Sequence, residues 1–587
     1  MAAAFLSLIV VLSVTFSADA QSYSRVTESP VANDGGSSAA VCFVDIDNDG
    51  DLDLFITNDE AVQGNLLYTN DGAGNFSSVE DDPILETGGH NVGATWADFD
   101  HDGDVDCFVA RWSNQSNRLY INNGDGTFES GVVPPVTSSR GYSETGSWAD
   151  YDNDGWVDLF VSNSAGTNHH NWLYHNNGDG TFALADIPAF ALDGDDSRSV
   201  QWCDVDGNGW TDLFVANENL DNDALYLNFG DGIFSSVEGE PPVNDGATNF
   251  TASWGDIDND GDFDLFVGGY NSPSRLYRKL ESGFELITES PVIEDNRFAV
   301  GSAFADYDND GDLDLLVCNG FAPSNNTYRH NYLYDNDGAG NFRRATEEPI
   351  EADSGWGFGC AFADIDNDQD LDLSIARSRN ANEDNLLYRN NQTEYYGVVF
   401  RLRGTDSNWS GIGCRVEVRT FVDDFFQSQF RMVEGQSGYC GQTQDVHFGL
   451  GAATEIDSVI VYWPSGVRQV YGWRLPANTT YTLIENGGIV SADERKTPVA
   501  ADHLVITSYP NPFNSQVTLE TNLPARDKTR FQVFNTLGQE VTTLHSGVAG
   551  PGVLKINWQP TALSSGSYIV TVTQGAVSES QTIHFIK

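Results

Sequence analysis

One nine-residue stretch constrains this chain more than any other, because it returns seven times. Asp45-Ile-Asp-Asn-Asp-Gly-Asp-Leu-Asp53 recurs from Asp98, Asp150, Asp204, Asp256, Asp306 and Asp364, at intervals of 53, 52, 54, 52, 50 and 58 residues. Oxygen-bearing side chains hold positions 1, 3, 5 and 9. They are Asp45, Asp47, Asp49 and Asp53, then Asp98, Asp100, Asp102 and Asp106, then Asp150, Asp152, Asp154 and Asp158. The fourth copy has Asp204, Asp206, Asn208 and Asp212, and the fifth Asp256, Asp258, Asp260 and Asp264. Asp306, Asp308, Asp310 and Asp314 follow, and Asp364, Asp366, Asp368 and Asp372 close the series. Position 6 is Gly in six copies, as a tight loop with positive φ requires. Position 7 is Asp51, Asp104, Asp262, Asp312 or Asp370, but Trp156 and Trp210 in two copies, so a ligand there is the backbone carbonyl.

Four carboxylates within one turn repel unless a cation sits among them. Hard oxygens at alternate positions, with Gly at 6 and a carbonyl at 7, suit Ca²⁺ better than zinc or copper. The first half matches an EF-hand loop, but the closing acid comes at position 9 instead of 12. The flanks, Ala-Val-Cys-Phe-Val before Asp45 and Leu-Phe-Ile after Asp53, read as strands. Seven calcium sites are expected, the seventh in doubt because Gln369 replaces Gly.

The net charge of −58 comes from 87 acidic against 29 basic residues, and seven Ca²⁺ would leave −44, so nucleic acid is an unsuitable partner. Residues 1–20 form an apolar run ending in Ala18-Asp19-Ala20, the pattern of a cleaved signal peptide, although no Lys or Arg precedes it. No later apolar run is long enough for a transmembrane segment. Cys42, Cys107, Cys203, Cys318 and Cys360 fall in the strands beside the acidic loops and read as small buried hydrophobes.

Residues 21–395 form one repeat array, and a period of this length means a propeller or solenoid. Each unit carries a second signature, such as Asn65-Leu-Leu-Tyr68 with Asp71-Gly-Ala-Gly-Asn-Phe76, giving four short strands per unit. The seventh unit stops after Asn385-Leu-Leu-Tyr388, whereas Tyr23–Pro30 resembles the segment after the aromatic in other units. An N-terminal strand therefore completes the last blade, leaving no open edge, and the fold expected is an all-β, seven-bladed β-propeller. Phe43, Trp96, Trp148, Trp202, Trp254, Phe304 and Phe362 stand two residues before each loop. Their fixed strand position predicts packing between sheets instead of a sugar-stacking ladder.

The loops and signatures of residues 21–395 resemble the FG-GAP or VCBS repeats of integrin-α-like propellers, a resemblance that implies calcium at the loop carboxylates. Residues 396–486, with Gly411-Ile-Gly-Cys-Arg-Val-Glu-Val418, Val433–Tyr439, His447–Gly451 and Trp463–Gly466, resemble the β-rich ASPIC/UnbV module that follows such repeats in the cartilage acidic protein-like family. That module usually lacks cysteine at the places of Cys414 and Cys440. The two departures occur together and suggest a disulfide between them, or two separate buried thiols. His447 has no nucleophile or second histidine placed beside it and reads as a strand residue. After a linker over 487–502, residues 503–587, from Tyr509-Pro-Asn-Pro-Phe513 to the last strand, are similar to the immunoglobulin-like C-terminal sorting domain of type IX secretion substrates. The resemblance implies recognition by that secretion machinery, passage across the outer membrane of a Gram-negative bacterium, loss of the tail, and release or surface attachment.

These features predict a non-catalytic, calcium-binding adhesion or ligand-binding protein, with a secreted polysaccharide lyase or hydrolase as the alternative. Blade topology places the calcium loops at one end. Strands leave at the other end through Asn58, Arg111, Asn163, Asn217, Gly269, Asn319 and Arg377, and enter there through His90, Tyr142, Arg198, Phe250, Arg297 and Trp356. Arg111, Arg297 and Arg377, with Tyr142 and Trp356, are the residues expected to meet an anionic or carbohydrate-bearing glycan or protein ligand.

Overall fold

The computed structural model describes residues 22–491 except 166–169, 191–194, 231, 296–297, 322–329, 378–382, 423–424, 436–438 and 473. It also describes 506–587 except 510–515, 524–526, 536–538, 550–551, 561–562, 575–576 and 586. The expected signal peptide, most of the linker and Arg297 lie outside the described residues. The chain divides into two compact units, Met1–Val490 and Ser491–Lys587.

Seven antiparallel sheets make the blades of the first unit. In blade one the strands are Ser38–Val44, Asp53–Asn58, Leu66–Asn70 and Phe76–Ser78, from the axis outwards. Each inner strand packs against its neighbour, and Ser38–Val44 also meets Gly357–Ala363 of blade seven, so the ring is closed. Blade seven takes its outer strand from the N-terminus, where Tyr23, Ser24 and Arg25 pair with Asn390, Arg389 and Tyr388. The expected closure is therefore the one the fold adopts. The aromatics before the loops fill the space between sheets: Trp96 meets Phe55 edge-on at 5.4 Å, and Trp254 meets Phe214 at 6.0 Å.

A buried asparagine stitches most blades to the one before. Asn122, at the end of the third strand of blade two, donates its side-chain amide to the carbonyls of Ile46 in loop one and Val105 in its own loop. Asn70, Asn176, Asn228, Asn336 and Asn390 make the same reach, to Ile365, Phe99, Tyr151, Ile257 and Tyr307. Blade five has Lys279 at this place, whose backbone N–H still donates to Asp264.

The segment expected to be an ASPIC/UnbV module is built on two four-stranded sheets, with a short pair of Glu455–Ile456 and Leu475–Pro476 beside them. One contains Gly397–Arg403, Val446–Gly449, Thr480–Ile484 and Ile489–Ser491. The other contains Arg415–Val422, Phe425–Met432, Ser458–Tyr462 and Arg468–Tyr471. Its core, including Phe400, Val416, Phe448 and Val461, is continuous with the apolar cluster of blades two and three through Phe99 and Trp148. Between the sheets, residues 433–435 and 439–445 enter the propeller axis. Gly435 accepts from Trp148 N–H and the Thr95 hydroxyl, Cys440 and Gly441 pair in parallel with Val41 and Cys42, and Gln444 donates to the Trp96 carbonyl.

Cys414 and Cys440 are both buried and are not bonded to each other. Cys414 sits in the module core, whereas Cys440 sits between blades six and seven, so of the two readings the separate buried cysteines hold and the bond between them does not. The reason is the insertion, which carries Cys440 out of the module and into the propeller.

The second unit is a sandwich of two sheets. Ile506–Tyr509, Val517–Leu523 and Gly552–Trp558 face Glu540–Ala549, Asp527–Asn535, Gly566–Gln574 and Val577–Phe585. Leu519, Phe531, Val533, Val570 and Ile583 form its buried core.

Removing the Asn122 amide strands the buried Ile46 carbonyl and the half-buried Val105 carbonyl, so Asn122→Ala is expected to cost about 1–3 kcal/mol. Urea denaturation of the variant beside the parent checks this, and an unchanged midpoint would refute the role given to the stitch.

Candidate metal centres at one end of the propeller

Each acidic loop is built by its own backbone. Position 4 adopts the left-handed conformation, with φ of 59° at Asn48, 61° at His101 and 72° at Gly207, and position 6 follows with φ of 96° at Gly50. Asn and Gly tolerate that region better than other residues do. The turn brings the position 6 N–H onto one oxygen of the position 1 aspartate, at 3.1 Å for Gly50 to Asp45 and 3.0 Å for Gly103 to Asp98. Asp53 at position 9 accepts from Ile46 N–H on one oxygen and from Asn70 N–H on the other. Position 3 accepts from the position 5 N–H, and position 5 from the position 7 N–H.

These bonds hold the carboxylates and leave particular oxygens without partners. Asp45, Asp98, Asp100, Asp152, Asp258, Asp306 and Asp366 each retain an unpaired, buried Oδ1, and Asp106 an unpaired Oδ2. Asp98, Asp106 and Asp306 are at most 2 % exposed, so water does not serve them freely. One ligand oxygen from each of Asp45, Asp47 and Asp53 lies within 4.8 Å of the others, and the same holds for Asp98, Asp100 and Asp106 and for Asp204, Asp206 and Asp212. Burial, with neighbouring carboxylates adding to it, pushes Asp98 up to about 7, Asp53, Asp150, Asp212, Asp264 and Asp364 to about 8, and Asp106 to about 9. An all-oxygen set of this kind, short of positive charge, fits a hard divalent cation.

The seven loops are not equivalent. In blades three, five and seven the third strand supplies a base beside position 3. His175 Nδ1 lies 3.4 Å from Asp152 and 3.1 Å from Asp158, Arg278 lies 3.1 Å from Asp258, and Arg389 pairs with Asp366. A hydrogen bond to Asp158 pushes His175 up to about 9.

Position 7 side chains have a use that the repeat alone conceals. The position 4 amide of one loop donates to the position 7 aspartate of the next: Asn48 to Asp104, Asn259 to Asp312, Asn309 to Asp370 and Asn367 to Asp51. Where position 4 is His101, position 7 of the next loop is Trp156, and the rings stack at 3.8 Å. Asn153 instead bonds the carbonyl of Gly209, beside Trp210. Reading position 4 of each copy against position 7 of the next would have exposed this pairing. The stitching asparagines were legible as well, since six of the seven units read Tyr-x-Asn.

The module covers this end of the propeller. Gly449 N–H donates to Asp306 at 2.9 Å, and Arg431 lies 3.8 Å from the same carboxylate. Arg401 forks onto Asp445 and reaches the Gly50 carbonyl, 3.9 Å from Asp45. Gln369, the departure from Gly, has φ of 73°, and its amide bonds both Asp364 and the Thr480 hydroxyl of the module. His447 lies 3.0 Å from the Gln369 carbonyl, and burial drops it to about 4, so it is a neutral seam residue.

At the opposite end the expected ligand residues divide. Arg111 is buried, bonded to the Gly88 carbonyl and paired with Glu86. Arg377 is held by Glu383 and the Ser354 carbonyl. Both guanidinium groups clamp loops. Tyr142 stands edge-on to Trp112 at 5.1 Å. Trp356 lies 6.0 Å from Phe321, and both, with Tyr270, are partly buried against the buried Phe250.

Comparison with known proteins agrees with this architecture. The FG-GAP-like repeat family matches at residues 45–109, 98–161, 150–215, 204–267, 256–317 and 321–375. The ASPIC and UnbV family matches at 404–490, and the secretion system C-terminal sorting domain at 507–586. Cartilage acidic protein 1 of Mus musculus is 33% identical over 121 residues, which cover 19% of this chain and 18% of that protein. Among solved structures, BBS1N in complex with ARL6DN is similar at 13% identity and TM-score 0.40, over 63% of this chain and 98% of that one. A six-bladed fungal lectin from Aleuria aurantia is similar at 8% identity and TM-score 0.34, over 55% and 99%. The sorting domain marks the protein as a type IX secretion substrate, secreted or attached at the cell surface. Six successive repeat matches, on a ring of seven four-stranded blades, show that the chain belongs to the FG-GAP-like repeat family.

Proposed function

We propose that this extracellular FG-GAP repeat protein is a calcium-stabilised, non-catalytic binding or adhesion protein. The observation that carries the reading is the set of buried, unpartnered carboxylate oxygens converging in the loops, with Asp98, Asp106 and Asp306 the most enclosed. Positions 1, 3, 5 and 9, with the carbonyl at 7, would hold the ion. When bound, Ca²⁺ supplies charge compensation. The chain's own part is to fix each carboxylate by backbone N–H groups, which suits a structural ion. Because the described residues of the module cover the loop end, the ligand surface is assigned to the opposite end, where Tyr142, Trp356, Tyr270 and Phe321 present aromatic faces suited to a glycan or a protein partner.

At 1 mM Ca²⁺ and an affinity of roughly 10⁻⁴–10⁻³ M, each site adds about 0.4–1.4 kcal/mol by mass action. Chelation is therefore expected to lower the melting temperature by several degrees or more, and Ca²⁺ to restore it better than Mg²⁺. An unchanged melting curve in excess chelator rejects the ion. The pH dependence of the chelated protein follows from the raised loop carboxylates. Their stabilising contribution is full below the unfolded carboxylate range and is lost as pH rises through about 8 or 9. His447 acts oppositely, losing its contribution as pH falls towards about 4, but the carboxylates outnumber it. The chelated protein should melt lower at about pH 8.5 than at about pH 6, and Ca²⁺ should reverse the order. A chelated protein more stable at the higher pH contradicts the burial of the loops.

The ligand surface is tested by Tyr142→Ala and Trp356→Ala on an array of glycans and matrix proteins. Loss of binding at an unchanged melting temperature supports it. Full binding rejects these residues, and breakdown of an arrayed glycan by the parent protein would replace the reading with an enzymatic one.

A further inference from the structure

The inserted segment places the sulfur of Cys440 3.6 Å from that of Cys360, on the inner strand of blade seven. Several bonds fix this approach. Val41 N–H donates to the Tyr439 carbonyl, and Cys440 pairs in register with Val41. Cys360 N–H points at the Cys440 sulfur at 3.4 Å. Two residues further on, the Gln442 side chain brackets Cys360, donating to its carbonyl at 2.9 Å and accepting from Phe362 N–H at 3.0 Å. Gly301 of blade six makes room on the other side, since a Cβ there would meet the Cys440 sulfur at 2.9 Å. Cys318 of blade six also stands beside the Cys360 thiol, but the seated segment brings the Cys440 sulfur to both the N–H and the sulfur of Cys360. The protein is exported, and export places thiols where disulfides form and persist.

We propose that Cys360 and Cys440 are joined by a disulfide in the exported protein. Closing the contact to about 2.05 Å asks for small side-chain rotations and no change of strand register. Each thiol gives up its proton, and the two electrons pass to a disulfide-bearing oxidant of the export route, which leaves as two thiols. Both cysteines are buried once the segment is seated, so the exchange takes place as it docks. The bond ties the module to blade seven, the same blade that the N-terminal strand closes. Cys414, in the module core, stays a thiol.

The test is a thiol count on protein collected outside secreting cells, denatured in alkylating reagent without reductant, followed by peptide mapping. The chain has seven cysteines, and removing the two in the bond leaves five to be alkylated. All seven should react after reduction, and a linked peptide should join Cys360 to Cys440 only before it. In Cys440→Ser, all six remaining cysteines should react without reductant. Seven reactive thiols in the unreduced parent, a linkage of any other pair, or two cysteines still protected in the variant would each overturn the proposal.

Discussion

The architecture depends on how buried carboxylates are compensated at one end of the propeller. A loop that turns within nine residues and closes on a strand cannot keep all its acids in water. Asp106, Asp158 and Asp212 at position 9 are essentially buried because each is also the first residue of a second strand. Backbone N–H groups answer part of the charge, and asparagine N–H groups from the third strand answer more. In blades three, five and seven a histidine or arginine stands beside position 3, and at loops one and six an arginine of the module approaches position 1. The proposed calcium completes a compensation that the protein has already begun, to a different degree in each loop.

The same loops also bind the ring together. The position 4 to position 7 bonds and the asparagine stitches both run from one blade to the next at this end. A blade alone would have neither, so the loops' geometry and the ring's closure support one another. The module then settles on a surface already ordered. Its contacts are made to aspartates and loop carbonyls instead of to an apolar face alone, while residues 433–435 and 439–445 fill the axis.

Much of this was legible in the chain. Seven loops in one frame, four strands per unit and a displaced outer strand at the N-terminus specify a closed seven-bladed ring, because each follows from local turn chemistry repeated at a fixed period. The carboxylate sets follow for the same reason, since a ligand at every second residue needs no distant partner. Six of the seven aromatics before the loops also take the buried positions expected from their constant place on the strand, and Phe304 is partly buried.

What the sequence could not decide are the meetings of residues far apart in the chain. Arg111 and Arg377 looked available for a ligand, yet Glu86 and Glu383 hold them, because an acidic chain offers a partner to nearly every base. Gln369 read as a flaw in the seventh loop, and the folded chain makes it a joint with Thr480. Cys440 seemed to belong with Cys414 in its own module, and the insertion delivers it to Cys360 in blade seven. Local pattern determined the loops, blades and closure. Only the docking of the module, a packing of surfaces with no period in the sequence, decided which side chains face one another across that end of the ring.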